Sequence, residues 1–165
     1  MNSIPTNDLA AILSIPADRQ RPAFSIGIRC DSDQVIGIDY LPPRSQHATN
    51  DPLSMEVVRQ LQAWLRNSRF VFGLPLAPAG THFQRRVWQS IADIPAGETR
   101  SYGEIARQLA SGPRAVGNAC GANPYPIIVP CHRVIAADRG LGGFARQRGG
   151  LLLEIKRWLL WHEQH

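Results

Sequence analysis

The stretch LPLAPAG, residues 74–80, separates two halves of the chain whose apolar residues follow different periods. Before it, they alternate and then turn helical. After it, they recur at helical spacing in short runs stopped by proline or glycine. Pro75, Pro78 and Gly80 make the stretch a poor continuation of either pattern, so it reads as a linker. The expectation is an α+β chain. A small antiparallel sheet with a helix occupies 1–78, and an α-helical, winged-helix-like domain with a helix-turn-helix occupies 79–165.

In AFSIGIRC, Phe24, Ile26, Ile28 and Cys30 alternate with smaller or polar residues, and in VIGIDYL Ile36, Ile38 and Tyr40 do the same. DSDQ between them is turn chemistry, so the pair reads as an antiparallel hairpin with Cys30 facing the core. Leu53, Val57, Leu61 and Leu65 recur every fourth position, which predicts a helix with one apolar stripe. RFVF, residues 69–72, is expected as a third short strand.

The second half predicts a series of short helices. THFQRRVWQSIADIP opens with Thr81 and Gln84 at capping-box spacing and carries Phe83, Val87 and Ile91 on one stripe. SYGEIARQL repeats the device with Ser101 and Glu104, burying Ile105 and Leu109. RAVGNACG follows after SGP and ends at Gly121 and the Asn123-Pro124 pair. This last helix carries Arg114 and Asn118 as its only large polar groups. A helix reading base edges in a major groove needs several long donors and acceptors. A bald one suits either close approach to a narrow groove or tight packing in the core. A final helix, LLLEIKRWLLWHEQH, sets Leu152, Ile155, Leu159 and Glu163 near one face.

Charge is unevenly placed. The chain of 165 residues has a formal net charge of +5. Residues 1–78 hold 7 arginines against 7 acids, and residues 79–165 hold 11 basic residues against 6 acids. The excess therefore lies in the second half, as expected for a polyanion partner. No run approaches the roughly 18 apolar residues of a membrane span. The first twenty residues lack the basic start of a signal peptide, so a soluble, cytoplasmic protein is expected.

Three cysteines, Cys30, Cys120 and Cys131, form neither an even framework nor a C-x-x-C pair, which argues for free thiols in a reducing compartment. Cys120, Cys131 and His132 match no standard zinc spacing, so no metal is expected. PIIVPCHRVI places Cys131 between Pro130 and the pair His132-Arg133. Only a thiolate is an effective nucleophile, and an adjacent imidazole or guanidinium lowers a thiol's pKa. His132 and Arg133 are both expected in that role, and Glu163 is the carboxylate expected to orient the histidine.

IVPCHRVI, preceded by PRAVGNACGANP, SYGEIA and FQRRVWQSIADIPAGET, resembles the O6-alkylguanine-DNA alkyltransferases from about Thr81 to Glu163. The first half is similar to that family only in its strand and helix order. The resemblance implies irreversible, stoichiometric transfer of an alkyl group from O6 of guanine in duplex DNA to Cys131. It admits O4 of thymine as a second position. It further implies a helix-turn-helix in the minor groove, a flipped guanine, no cofactor and a monomer. Carried over residue by residue, His132 acts on Cys131 through water and Glu163 completes the relay. Arg114 fills the gap left by the extruded base, and Tyr102 helps turn the nucleotide. Asn123 ties the recognition helix to the active-site turn. The backbone at Cys131 and Val134 accepts from the guanine amine, and the loop around Phe144 and Ala145 covers the base. Ala145 stands where the family's small hydroxyl residue is expected. The rival readings are a thiol hydrolase, which predicts turnover without nucleic acid, a zinc-dependent DNA-binding module, and a reader of alkylated bases lacking the acceptor cysteine.

Overall fold

Strand β1, Ala11–Ile15, comes from the segment before the expected hairpin and completes a three-stranded antiparallel sheet with β2, Phe24–Cys30, and β3, Val35–Leu41, in the order β1-β2-β3. The computed structural model describes residues 8–142 and 150–165. The chain divides into two compact units, Met1–Pro78 and Ala79–His165. Among the described residues no helix is long and apolar enough to cross a membrane.

Two expectations for the strands of the first unit fail because of contacts distant in sequence. RFVF forms no strand, because Gly73 just beyond it is bonded by a side chain instead of a ladder. Gln60 accepts from Gly73 N at 2.9 Å and donates to Gly73 O at 3.0 Å, and Val71 stands 86% exposed. Ile36 does not share a face with Ile38. The β2–β3 pairing shifts register between Arg29 and Cys30, so Cys30 pairs with Val35 and Arg29 with Gly37. The extra residue is Ile36, 40% exposed, while Val35 takes the buried place at 0%. A bulge exchanges the two faces of a strand, which alternation alone cannot reveal.

Helix α1, Pro52–Arg66, begins where Asp51 accepts from Ser54 N at 2.8 Å, with Pro52 at the first helical position. Val57, Leu61 and Trp64 are buried, whereas Leu53 and Leu65 are only half-buried. A strict four-residue row drifts around a helix of 3.6 residues per turn, so Trp64 takes the place assigned to Leu65. The helix covers β1 and β2, where Phe24, Ile26 and Ile28 are fully buried. Each such side chain contributes about 1.5–3 kcal/mol of burial.

The second unit starts with α2, His82–Ala92, and α3, Tyr102–Gln108, and both have complete capping boxes. Thr81 accepts from Gln84 N at 3.1 Å and Ser101 from Glu104 N at 3.0 Å; each partner side chain accepts in return from the cap's N–H. α3 ends in a left-handed residue that is not glycine. Ala110 has φ 52°, Ser111 N donates to Ala106 O at 2.8 Å, and Ala110 N to Arg107 O at 3.3 Å, the Schellman pattern. The chain then re-enters helix at α4, Pro113–Gly121, with Pro113 at its first position.

Val87, Ile91, Ile94, Ile105, Val116, Ala119, Cys131 and Val134 form one apolar cluster, which Phe83 and Leu109 flank. Trp88 packs into it and donates through Nε1 to Ala119 O at 2.8 Å, a carbonyl at the end of α4 that also accepts from Ala122 N at 3.2 Å. A short parallel pair, β4 Arg100–Ser101 with β5 Val134–Ile135, joins the start of α3 to the segment following Cys131. α5, Leu151–Gln164, closes the unit with Leu152, Ile155, Trp158 and Leu159 buried, together with the charged Lys156 and Glu163.

Candidate functional site

A tight turn carries the acceptor candidate. Ile127 has φ 73°, a conformation costly for a β-branched residue, and Val129 N donates to Tyr125 O at 2.8 Å. Pro130 then leads into a single 3-10 turn, Cys131–Arg133, followed at once by β5. Asn123 fastens this turn to the end of α4. Its Nδ2 donates to Val129 O at 2.9 Å and to the Cys131 sulfur at 3.2 Å, and its Oδ1 accepts from Tyr125 N at 2.9 Å.

Consecutive residues of the 3-10 turn serve different partners. Cys131 is 5% exposed and belongs to the apolar cluster. His132 is fully buried, with Nε2 2.7 Å from Glu163 Oε1. Arg133 donates from Nε to both oxygens of Glu163, at 3.1 and 2.9 Å, from Nη2 to Oε1 at 2.7 Å, and from Nη1 to Ile94 O. Gly97 N adds a bond to Glu163 Oε2 at 3.3 Å. Gly97 has φ 84°, and a Cβ there would lie 3.2 Å from Glu163 O, so both its conformation and its setting require glycine.

This placement corrects the expected electrostatics of the thiol. Arg133 is committed to Glu163 and Ile94, so its charge serves the carboxylate. The Cys131 thiol is pushed up, by hydrogen bonding with the Cys120 thiol and by burial, while Asn123 and the Lys156 ammonium pull it down. The resting sulfur is therefore protonated. Burial also pushes His132 below its ordinary value, against the pull of Glu163. Burial would raise Glu163, but the hydrogen bonds from His132 and Arg133 hold it at about 2. An ionised Glu163 accepts only, so the neutral imidazole carries its proton on Nε2. Nδ1, which is buried and makes no hydrogen bond with the described residues, keeps its lone pair.

Lys156 escaped the sequence reading. Its Nζ is fully buried, donates to Val134 O at 2.7 Å and to Leu141 O at 2.6 Å, and lies 5.8 Å from the centre of the Tyr102 ring. Burial lowers its pKa to about 8, against the pull of Cys120 and Cys131. The signal was present, since a lysine amid LLLEIKRWLL sits one residue from Ile155 on the apolar side of the helix. Val134 O, assigned to the guanine amine, thus already accepts from Lys156, and Cys131 O accepts from Val134 N. Each carbonyl retains a second lone pair.

Tyr102 is the first residue of α3, and the Ser101–Ile135 pairing sets it beside the strand leaving Cys131. Burial pushes its hydroxyl pKa upward, so it stays neutral. Arg114 is exposed on the first turn of α4 and makes no hydrogen bond or ion pair with the described residues. Phe144 and Ala145 lie outside the described residues. The smallness of α4 is not an internal packing demand along its whole length. Val116 and Ala119 are its buried residues, and a Cβ on Gly117 would meet only Tyr102 Cε1, at 4.0 Å. Among the described residues no group of three or more His, Cys, Asp or Glu is placed to hold a metal ion.

The chain is similar to known proteins over most of its length. The profile for the 6-O-methylguanine DNA methyltransferase DNA-binding domain matches residues 82–165. A methylated-DNA-protein-cysteine methyltransferase of Methanosarcina mazei is 45% identical over 118 residues, covering 70% of this chain and 72% of its own. One from Mycobacterium tuberculosis is 48% identical over 125 residues, covering 72% and 75%. Among solved structures, M. tuberculosis OGT in complex with DNA superposes with a TM-score of 0.71 at 39% identity, over 93% of this chain and 92% of that one. The O6-methylguanine-DNA methyltransferase of Pyrococcus kodakaraensis gives 0.58 at 26% identity, over 92% and 97%.

Proposed function

This chain belongs to the methylated-DNA-protein-cysteine methyltransferases, and from that premise we propose that it repairs duplex DNA by moving one alkyl group from O6 of guanine to Cys131, once per molecule. The observation that carries the proposal is the Glu163–His132 pair, 2.7 Å apart, one residue along the chain from the thiol. His132 Nδ1 takes the thiol proton, directly or through one water, as the sulfur attacks the alkyl carbon. Glu163 and Arg133 hold the imidazole in the tautomer that makes this possible. The carbon–oxygen bond breaks, the electron pair goes to the guanine oxygen, and a proton donor must meet it there. Tyr102, neutral and at the mouth of α3, is the group we assign to that contact. Because the resting sulfur is a thiol, deprotonation accompanies transfer instead of preceding it.

The product is a thioether. Sulfur bonded to two carbons is a poor leaving group, so the alkyl group stays and the protein is consumed. O4 of an alkylated thymine presents the same carbon to the same displacement and is included as a second substrate.

Cys131, 5% exposed in the folded protein, cannot bring its sulfur to an atom inside a stacked duplex. The base must leave the stack, at a cost of a few kcal/mol. The small, outward residues of α4 allow its backbone close to a minor groove, and Arg114 at its start fills the emptied position. The monomer is the acting species, and the cytoplasm its location.

The test is a count. With a known amount of protein and an excess of duplex carrying O6-methylguanine, loss of the lesion should stop when one has been repaired per protein chain. Continued loss beyond that point, or none at all, would refute the proposal.

A further inference from the structure

Cys120 has no part in the transfer just described, yet it is the closest chemical relative of the acceptor in the site. It is half-buried on the last turn of α4 and packs against the cluster that contains Cys131. Asn123 spans the two. Its N–H donates to Cys120 O at 3.2 Å and its side-chain amide to the Cys131 sulfur at the same distance. The Cys120 thiol is near enough to push the Cys131 pKa up, and both thiols pull on the Lys156 ammonium. The remaining cysteine, Cys30, belongs to β2 in the first unit.

We propose that Cys120 and Cys131 are a modification site, joined as a reversible disulfide when the protein meets a peroxide. Cys120, the more exposed sulfur, reacts first. Its thiolate attacks one peroxide oxygen, the O–O bond breaks, and the departing hydroxide takes a proton to become water, leaving a sulfenic acid. Cys131 then attacks the Cys120 sulfur. The S–S bond forms, the S–O bond breaks, and the second hydroxide takes the Cys131 proton. Two thiols and one peroxide give one disulfide and two waters, the sulfurs having supplied two electrons.

A disulfide needs its two β-carbons within about 3.5–4.5 Å, and Asn123, bonded to both residues, holds the end of α4 against the turn that carries Cys131. Cys120 is the next-to-last residue of α4, where intrahelical bonding is running out and small backbone movements cost little. The chemical consequence is protective. A lone thiol oxidised by peroxide proceeds to sulfinic acid, which reductants do not reverse, whereas a disulfide returns to the thiol. That the disulfide suspends repair rests on the acceptor reading of Cys131; the bond itself does not.

The experiment uses the full chain, reduced, then treated with hydrogen peroxide and mapped by mass spectrometry without reduction. The expected product is lighter by two hydrogens, with the Cys120 and Cys131 peptides linked. Methyl acceptance from O6-methylguanine DNA is lost and then restored in full by dithiothreitol. Protein methylated beforehand gives no link. Cys120→Ser, and Cys120→Ala as a second variant, both checked for an unchanged thermal melt, give no link and suffer losses that dithiothreitol does not restore. Oxygen added to Cys131 in the wild type without a link, a link to Cys30, or links between chains would overturn the proposal. A Cys120–Cys131 link that leaves methyl acceptance intact would overturn the capping and the acceptor assignment together, while leaving the bond.

Discussion

Glu163 Oε1 lies 2.7 Å from His132 Nε2, and both side chains are almost fully withdrawn from solvent. The same carboxylate takes three hydrogen bonds from Arg133, so one residue of the last helix orients two consecutive residues of the 3-10 turn that begins at Cys131. Replacing it removes a buried charge from beneath a buried guanidinium. Breaking such a pair costs about 3–5 kcal/mol. Glu163→Gln should therefore lower stability by that order in a urea titration. It should also slow single-turnover methyl transfer beyond what the unfolded fraction explains, because an amide no longer fixes the proton on Nε2.

The pH profile follows from the directions of the shifts. With the thiol held above its ordinary value of 9.0 and His132 below its own 6.5, proton removal limits the reaction on the acid side. The single-turnover rate should rise as pH climbs through the lowered His132 pKa, level off while the neutral imidazole serves as base, and rise again only where the raised thiol ionises. Stability has the same sense. The folded imidazole refuses a proton that the unfolded one accepts, so stability is present above 6.5 and lost as pH falls below it. Glu163 loses a further share between its ordinary 4.5 and about 2. A rate that climbs about tenfold per pH unit across neutrality with no level stretch would mean a thiolate formed before transfer and would remove His132 from the proton path.

Lys156 pulls the Cys131 thiol down and anchors two backbone carbonyls. Lys156→Met keeps most of the side chain's volume and removes both functions. Transfer to Cys131 should slow, and the alkaline limb of the rate profile should move to higher pH. If the rate falls with no movement of that limb, the lysine acts through Val134 O and Leu141 O alone.

Ala110 occupies a left-handed position that costs an L-residue about 1–2 kcal/mol, less the greater chain entropy glycine loses on folding. Ala110→Gly should therefore raise stability by up to about 1 kcal/mol, read as a higher urea midpoint with unchanged slope. Repair should be unaffected, since no group of the site is touched.

The capping boxes at Thr81 and Ser101 and the buried stripe of α5 were legible because each depends on residues within four positions of one another. Glu163 was legible as a carboxylate on that stripe. Long-range choices were not. Whether Arg133 faces the thiol or Glu163 depends on how α5 packs, and its side chain spans a separation of 30 residues to reach it. The bulge that exposes Ile36 depends on pairing with β2. No strand forms at RFVF, because Gln60, thirteen positions before Gly73, bonds both backbone groups of Gly73. The protonated state of Cys131 likewise needed three dimensions, since it is set by the Cys120 thiol and by burial, which outweigh the pull of Asn123 and Lys156.

The central claim is that one sulfur receives the alkyl group. Wild-type protein reacted with duplex DNA containing O6-methylguanine, digested and weighed peptide by peptide, should carry a single added methyl group on the fragment holding Cys131, with Cys30 and Cys120 unchanged and the DNA restored to guanine. A methyl group found on Cys120 or Cys30, or guanine restored with no added mass on the protein, would contradict it.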